Sequence, residues 1–99
     1  MVAKGAPQTP LVTNFLGRLI AEHTDIPAGV VNMLTDSGTD VAVAESLTTD
    51  PRVDMVTFTG STPTGRRIMA AASATVKKVF LELGGKSAFI VLDDADLGL

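Results

Sequence analysis

The sequence of 99 residues contains no cysteine, no tryptophan and no tyrosine, and its single histidine is His23. Without cysteine, these residues form no disulfide and offer no thiol nucleophile or thiolate ligand. One histidine is also too few for a zinc site, so we predict no metal site. Eight Lys and Arg stand against eleven Asp and Glu, which gives a net charge of −3. We therefore expect no nucleic-acid partner.

Long apolar runs are absent as well. None approaches the roughly 18 residues that a membrane helix needs, and the N-terminus lacks the regions of a signal peptide. These absences predict a soluble, cytoplasmic protein without a membrane partner. Apolar residues still make up 45% of the chain, and the four aromatics are all Phe. A core of aliphatic side chains suits helices packed on a parallel sheet.

Helical and extended patterns alternate along the chain. The extended segments are residues 1–4, 30–34, 53–59, 76–83 and 88–92. The helical segments are residues 9–23, 39–47 and 62–72. Thr9 and Thr62 each precede a proline, which predicts that their hydroxyls cap the first and third helices. Strands that alternate with helices are typical of an α/β protein with a parallel sheet.

Glycines flank the third strand-to-helix turn, residues 58–65 (Phe-Thr-Gly-Ser-Thr-Pro-Thr-Gly). Free N–H groups at a helix start stabilise a phosphate, and Ser61 and Thr62 add hydroxyls. Gly60 would let the backbone approach a ligand, and Gly65 would let the helix pack closely on the sheet. An ordinary turn with nothing bound is equally compatible with the spacing. Neither a Walker-type loop nor the G-x-G-x-x-G fingerprint is present.

Glu82 lies within an apolar segment that ends in Gly84 and Gly85. A carboxylate is costly to bury in its charged form among apolar neighbours, and such a group at a strand end can act as a general base. Alternatively, Glu82 forms an ion pair with a nearby lysine or faces solvent. The residues alone favour these structural interpretations.

Residues 58–65 and residues 81–87 (Leu-Glu-Leu-Gly-Gly-Lys-Ser), taken together, resemble the aldehyde dehydrogenase family. Residues 27–32 (Pro-Ala-Gly-Val-Val-Asn) and the acidic residues 93–96 are also similar to family sequences, so the resemblance covers nearly the whole chain. It implies a Rossmann-like parallel sheet with flanking helices. Residues 1–99 would then form a partial NAD(P)-binding domain.

The resemblance also implies cofactor contacts. Seven residues match positions that bind the cofactor in the family: Lys4, Phe58, Gly60, Ser61, Gly65, Leu83 and Gly84. Lys4 would hold the adenosine ribose hydroxyls, and Ser61 would donate a hydrogen bond to a phosphate. Leu83 and Gly84 would lie near the nicotinamide. The expected cofactor is NAD, with NADP also possible.

Glu82 matches the family's general base. In the family reaction, a cysteine thiolate attacks the aldehyde, hydride passes to the nicotinamide, and water activated by the glutamate releases the carboxylic acid. The matching cysteine would lie beyond Leu99 and the oxyanion asparagine before Met1. We therefore expect an oxidoreductase that oxidises an aldehyde when full-length, while the 99 residues alone are inactive. A homo-oligomer is also expected.

Two departures from the family fall at positions that would contact the cofactor. Gly5 and Pro7 replace a usual Pro and Glu, and the lost Glu would accept ribose hydroxyls and repel a 2′-phosphate. Asp36 replaces a glycine that is usual in the family's adenine-side loop, where an acidic side chain would crowd the cofactor or disfavour phosphate. The preference between NAD and NADP stays open, leaning to NAD.

Two other functions compete with the dehydrogenase segment: a truncated nucleotide-binding module without chemistry, and an inactive remnant that self-associates. Acyl-phosphate reductases share the broader fold, but the motif around Glu82 favours aldehyde oxidation.

Overall fold

The computed structural model describes residues 1–38, 41–96 and 98. The chain forms two compact units, Met1–Asp54 and Met55–Leu99. Each unit contains two parallel strands that are separated in sequence by a helix. A crossover of this kind is required because both strands run in the same direction. Alternating helices and parallel strands confirm the predicted α/β class.

The first unit contains β1 (Val2–Lys4), α1 (Pro10–His23), β2 (Asn32–Leu34) and α2 (Ala42–Thr49). The parallel register pairs Lys4 with Leu34, so β1 and β2 end at the same edge. Helix α1 packs on β2 at Gly17, where an added Cβ would lie 3.1 Å from Met33 Cγ. The predicted start of the second helix, Thr39, lies outside the described residues.

Helix α1 has the bounds that its sequence predicted, but its cap differs. Thr9 is the N-cap residue and Pro10 the first helical residue, yet the Thr9 hydroxyl makes no capping hydrogen bond. The prediction for this hydroxyl was wrong because Thr9, at ψ 48°, lacks the extended backbone that aims a cap side chain at the first turn. At the other end, Thr24 Oγ1 donates to Ile20 O at 2.6 Å and satisfies a terminal carbonyl.

The second unit contains β3 (Met55–Gly60), α3 (Thr62–Ser73) and β4 (Lys78–Leu83). Val56 lies beside Val79, and Phe58 beside Leu81. These four side chains are half-buried on one face, while their alternate neighbours are exposed on the other. Leu83 shares the half-buried face with Val79 and Leu81 because side chains alternate along a strand. Leu83 contacts α3, so the helix covers that face.

The turn between α3 and β4 corrects a predicted strand boundary. Val76 was expected to begin the strand, but it has φ 53° and lies in a turn. Its N–H donates to Ser73 O at 3.2 Å. A β-branched residue in the left-handed region is strained, and Val76 is also 89% exposed. β4 therefore begins two residues later, at Lys78. Lys77, directly before this strand, is buried.

The strand predicted for residues 88–92 is not formed. A strand needs a neighbour that accepts and donates ladder hydrogen bonds. Within the described part of the chain, the sheet of this unit consists of β3 and β4 only. Apolar patterning alone does not supply the missing partner, and Phe89 is 92% exposed.

Few apolar side chains are buried. Ala72 is the one fully buried apolar residue among those described. Helix α1 exposes an apolar face formed by Leu11, Val12, Phe15, Leu16 and Leu19. Such a face is typical of a surface that packs against another part of a protein. No described helix has the length and apolar character needed to cross a membrane.

Candidate functional site

The second unit brings the glycine turn and the Glu82 segment to one edge. β3 and β4 both end there, with Thr59 beside Glu82 and Gly60 beside Leu83. Helix α3 starts directly after β3, at Thr62. In open parallel α/β sheets, ligands bind outside the carboxyl ends of the strands. The register therefore joins two motifs that are separate in sequence.

Ser61, rather than the predicted Thr62, caps helix α3. Ser61 has an extended backbone, and its side chain accepts a hydrogen bond from Thr64 N at 3.4 Å. Ser61 Oγ also lies 2.9 Å from Thr64 Oγ1. Thr62 is instead the first helical residue, which leaves its own hydroxyl outside the cap position. Two hydroxyls thus stand together at the positive end of a helix.

The first turn of α3 has fewer amide donors than most helices because Pro63 has no N–H. The Gly65 N–H already donates to Ser61 O at 3.0 Å. Because the Thr64 N–H already donates to Ser61 Oγ, an anion at this end is left with the Thr62 amide and the exposed hydroxyls of Ser61 and Thr64. These two hydroxyls share one hydrogen bond, which leaves one hydroxyl proton to donate, so this turn fits a phosphate.

Both glycines of the turn are required by close packing. At Gly65 an added Cβ would lie 2.7 Å from Leu83 Cδ2, which confirms that this glycine permits close contact between helix and sheet. At Gly60 it would lie 2.5 Å from Cζ of the Phe58 ring. The Phe58 ring is half-buried and lies over Gly60. These contacts fix the shape of the turn.

Glu82 is exposed on the sheet face opposite α3. Within residues 1–38, 41–96 and 98, its side chain makes no ion pair or hydrogen bond. Among these residues Glu82 therefore forms no ion pair with a lysine, and its side chain faces solvent. The expected apolar surroundings are also not formed by this unit, because the alternation along β4 turns Glu82 away from α3. Its carboxylate is free to contact a ligand.

Leu83 and Gly84 continue this edge. Leu83 is 37% exposed, and an added Cβ on Gly84 would meet nothing within 4 Å. The backbone after β4 is thus open on the side where a flat ring could lie. Nothing in the packing of this unit explains the glycine at position 84.

Lys4 lies at the corresponding edge of the first unit, as the last residue of β1. Its Nζ is 2.9 Å from Asp36 Oδ2, and only 16% and 10% of the two side chains are exposed. Lys4 Nζ also donates to Gly5 O at 3.1 Å. Asp36 Oδ1 accepts a hydrogen bond from Gly38 N at 3.1 Å. Asp36 therefore contacts the predicted ribose-binding lysine.

The Lys4–Asp36 ion pair lowers the pKa of Asp36. The largest cause is the hydrogen bond from Lys4; partial desolvation opposes it, and the Gly38 N–H adds to it. The carboxylate is therefore ionised at neutral pH.

Sequence reasoning missed this ion pair and the contribution of Thr64. Lys4 and Asp36 are far apart in sequence, but Lys4 ends β1 and Asp36 follows β2, its parallel partner. That shared position is the signal that would have joined them. Thr64 could have been found from its spacing of three residues from the helix-capping Ser61.

A hydroxyl-lined helix start beside the carboxyl ends of parallel strands is the arrangement of nucleotide-binding α/β proteins. The aldehyde dehydrogenase family matches residues 1–99, and the chain belongs to that family.

Two relatives illustrate the similarity. The chain is 48% identical over 97 residues to 3,6-anhydro-alpha-L-galactose dehydrogenase of Vibrio sp. (strain EJY3), covering 98% of this chain and 20% of that protein. It is also 48% identical over 97 residues to succinate-semialdehyde dehydrogenase [NADP(+)] of Escherichia coli, with the same coverage of each. The chain thus spans about a fifth of the length of these relatives.

Solved structures agree. The fold matches aldehyde dehydrogenase from Bartonella henselae with a TM-score of 0.83 at 40% identity, covering 98% of this chain and 20% of that one. An aldehyde dehydrogenase C mutant from Pseudomonas syringae, in complex with NAD+ and octanal, matches with a TM-score of 0.82 at 38% identity, covering 96% and 19%. These matches confirm the Rossmann-like fold and its partial coverage.

Proposed function

We propose that this chain is the nicotinamide-nucleotide-binding segment of an enzyme that oxidises an aldehyde to a carboxylic acid. The observation that carries the proposal is the shared edge of β3 and β4, where the glycine turn and Glu82 lie together. Family membership supports the same reaction class. When bound, the nicotinamide would accept hydride from the substrate.

Each unit by itself offers residues that would contact a cofactor. Lys4 would donate to ribose hydroxyls, since its ammonium lies at the end of β1. Ser61 would donate to a phosphate at the start of α3, where the helix dipole also favours an anion. Phe58, Gly60 and Gly65 would shape the turn through the contacts already described. Leu83 and Gly84 would border the nicotinamide.

The proposed cofactor is NAD, with NADP as the alternative. One relative carries NADP(+) in its name, while the Pseudomonas syringae enzyme was crystallised with NAD+. Because the chain is similar to both enzymes, its preference between NAD and NADP has to be inferred from its own residues.

Glu82 would act as the general base. Its exposed carboxylate can take a proton from a thiol or a water molecule without first breaking an ion pair or a hydrogen bond within the described residues. Dehydrogenase catalysis also needs a cysteine nucleophile, which these 99 residues lack. The proposed base therefore acts only in a full-length enzyme.

Titration calorimetry of the 99-residue chain with NAD+ tests cofactor binding. We expect saturable binding that Lys4→Gln weakens. Lys78→Gln is the matched control, since it removes an exposed lysine outside the proposed site. Absence of binding at millimolar NAD+ would contradict the proposal.

A chimeric enzyme tests Glu82 as the base. Residues 1–99 would replace the matching segment of the E. coli succinate-semialdehyde dehydrogenase. Glu82→Gln should then lower kcat about 10²- to 10⁴-fold, as expected for loss of a general base, with little change in cofactor affinity. Glu45→Gln changes an exposed glutamate of α2 and should be neutral. Equal activity of both variants would exclude the assigned role.

A homo-oligomer and a cytoplasmic location complete the proposal. The exposed apolar face of α1 and the bare face of the β3–β4 sheet support association between subunits. Use of a nicotinamide nucleotide supports a cytoplasmic location, because the cytoplasm contains these cofactors. Sedimentation velocity tests the first point, because a clean monomer would contradict association.

A further inference from the structure

The carboxylate of Asp36 lies where the chain would handle the adenosine ribose. Lys4 ends β1, its register partner Leu34 ends β2, and Asp36 follows two residues later. The Lys4–Asp36 ion pair thus lies at the carboxyl edge of the strand pair, at 2.9 Å and largely shielded from solvent. In Rossmann-type folds, an acidic residue near this edge hydrogen-bonds the ribose 2′-hydroxyl of NAD.

Pro7 lies close to this ion pair, at the position of the family's ribose-binding glutamate. Pro7 stands where the family commonly has the glutamate that accepts ribose hydroxyls. An added Cβ on Gly38 would lie 2.7 Å from Pro7 Cβ, so the loop after β2 packs directly on the proline. The same loop holds Asp36, whose carboxylate accepts the Gly38 N–H. A carboxylate absent from position 7 is therefore present on the neighbouring loop.

We propose that Asp36 is the residue that selects NAD over NADP in this chain; the proposal rests on cofactor binding at Lys4. A carboxylate has about four lone-pair sites, and the contacts with Lys4 and Gly38 leave sites for a ribose hydroxyl donor. A 2′-phosphate instead meets like charge. It also gains little from Lys4, because Asp36 already neutralises that ammonium. The pair binds a neutral diol better than a phosphate.

Calorimetric titrations of the folded 99-residue chain with NAD+ and with NADP+ test this assignment. The native chain should bind NAD+ about tenfold more tightly than NADP+, the size expected for one like-charge repulsion beside a charge that Lys4 already pairs. Asp36→Asn keeps the acceptor for Gly38 and removes the charge. It should therefore shift the ratio of the two dissociation constants about tenfold toward NADP+.

Two further variants keep the result interpretable. Asp36→Gly restores the residue usual in the family and should give the same shift even if the asparagine variant fails to fold. Glu22→Gln removes one negative charge from the same unit, at an exposed ion pair with Arg18, and should leave the ratio unchanged. Circular dichroism checks that each variant is folded.

The outcomes separate this assignment from the proposed function. A native chain that binds both cofactors equally, or an unchanged ratio in the Asp36 variants, overturns the role of Asp36 alone. The same holds if the Glu22 variant shifts the ratio as much as the Asp36 variants do. A native chain that binds neither cofactor overturns the proposed function and the role of Asp36 with it.

Discussion

Gly5 stands where the family commonly has proline, and its contact with helix α1 explains the exchange. An added Cβ would collide with Thr13 Oγ1 and lie 2.9 Å from Thr13 Cβ. Thr13 is held in place because its hydroxyl donates to Thr9 O at 3.4 Å. Any larger residue at position 5 would therefore push on the first turn of α1. Glycine keeps the segment after Lys4 close to the helix.

This contact predicts a coupled pair of substitutions. Gly5→Ala should lower the free energy of unfolding by about 1–3 kcal/mol, as overpacking does. Adding Thr13→Ala removes Oγ1 but keeps Cβ, so it should recover part of that loss, which a double-mutant cycle in urea denaturation measures as a coupling energy. Thr13→Ala alone is the control. Strictly additive effects would show that the two residues do not compete for space.

The lowered pKa of Asp36 predicts a pH dependence of stability. Its ordinary value is 3.8, so the ionised group stabilises the folded chain above that pH. This contribution is lost as pH falls through the lower pKa of the folded state. Urea midpoints at about pH 6 and about pH 2 should therefore differ more for the native chain than for Asp36→Asn. An equal loss in both would contradict a stabilising ion pair.

Val76, in the turn from α3 to β4, adopts a left-handed backbone conformation that lowers the stability of the folded chain. The left-handed conformation costs a β-branched residue about 1–2 kcal/mol, and glycine avoids this but loses roughly 0.5–1 kcal/mol in chain entropy. Little packing is lost because Val76 is 89% exposed. Val76→Gly should therefore raise the free energy of unfolding by a few tenths to about 1 kcal/mol.

Val30→Gly is the matched control for this substitution. Val30 is 49% exposed, and only Val76 has a positive φ among the described residues other than glycine. The control should lose about 0.5–1 kcal/mol. If both variants lost the same amount in thermal or urea unfolding, Val76 would not be strained.

At the scale of elements, local sequence signals identified most of the fold. Helix α1 has its predicted bounds because Pro10 and the apolar spacing both act within a few residues. The strand prediction for residues 88–92 was wrong because a strand needs a neighbouring strand, which its own sequence does not encode. The predicted strand start at Val76 was wrong for a related reason. The β propensity of valine carries no information about the left-handed backbone that the α3–β4 turn requires.

The candidate site was predictable to a similar extent. The motif around Gly60 and the one around Glu82 could each be found in the sequence, and the family resemblance related them. The Lys4–Asp36 ion pair could not be found this way, because it depends on the register of two short strands. The cap at Ser61 was not predicted, because the pattern of a hydroxyl residue before a proline indicated Thr62 instead.

At the scale of the whole molecule, the chain exposes much of its apolar surface. Ala72 alone is fully buried among the described apolar residues, and the chain spans about a fifth of its relatives. Family membership favours a segment of a dehydrogenase over an inactive remnant. The apolar face of α1 is then available to pack against another part of such an enzyme or against another subunit.

The 99 residues by themselves are expected to lack dehydrogenase activity. The 99 residues should produce no NADH from aldehydes, because no thiol is present to attack the carbonyl. NADH absorbance, recorded with a panel of short aldehydes and millimolar NAD+, measures this. An active full-length dehydrogenase serves as the positive control. Turnover by the 99 residues would contradict the assigned need for a cysteine.

We propose above that the carboxyl ends of the strands bind a nicotinamide nucleotide. Amide chemical shifts of the isotope-labelled chain, recorded during titration with NAD+, test it most directly. We expect saturable shifts at Lys4, Gly60, Ser61 and Gly65, with little change around Met69 and Val79 at the far end of the second unit. Shifts that do not saturate, or that cluster away from these strand ends, would contradict it.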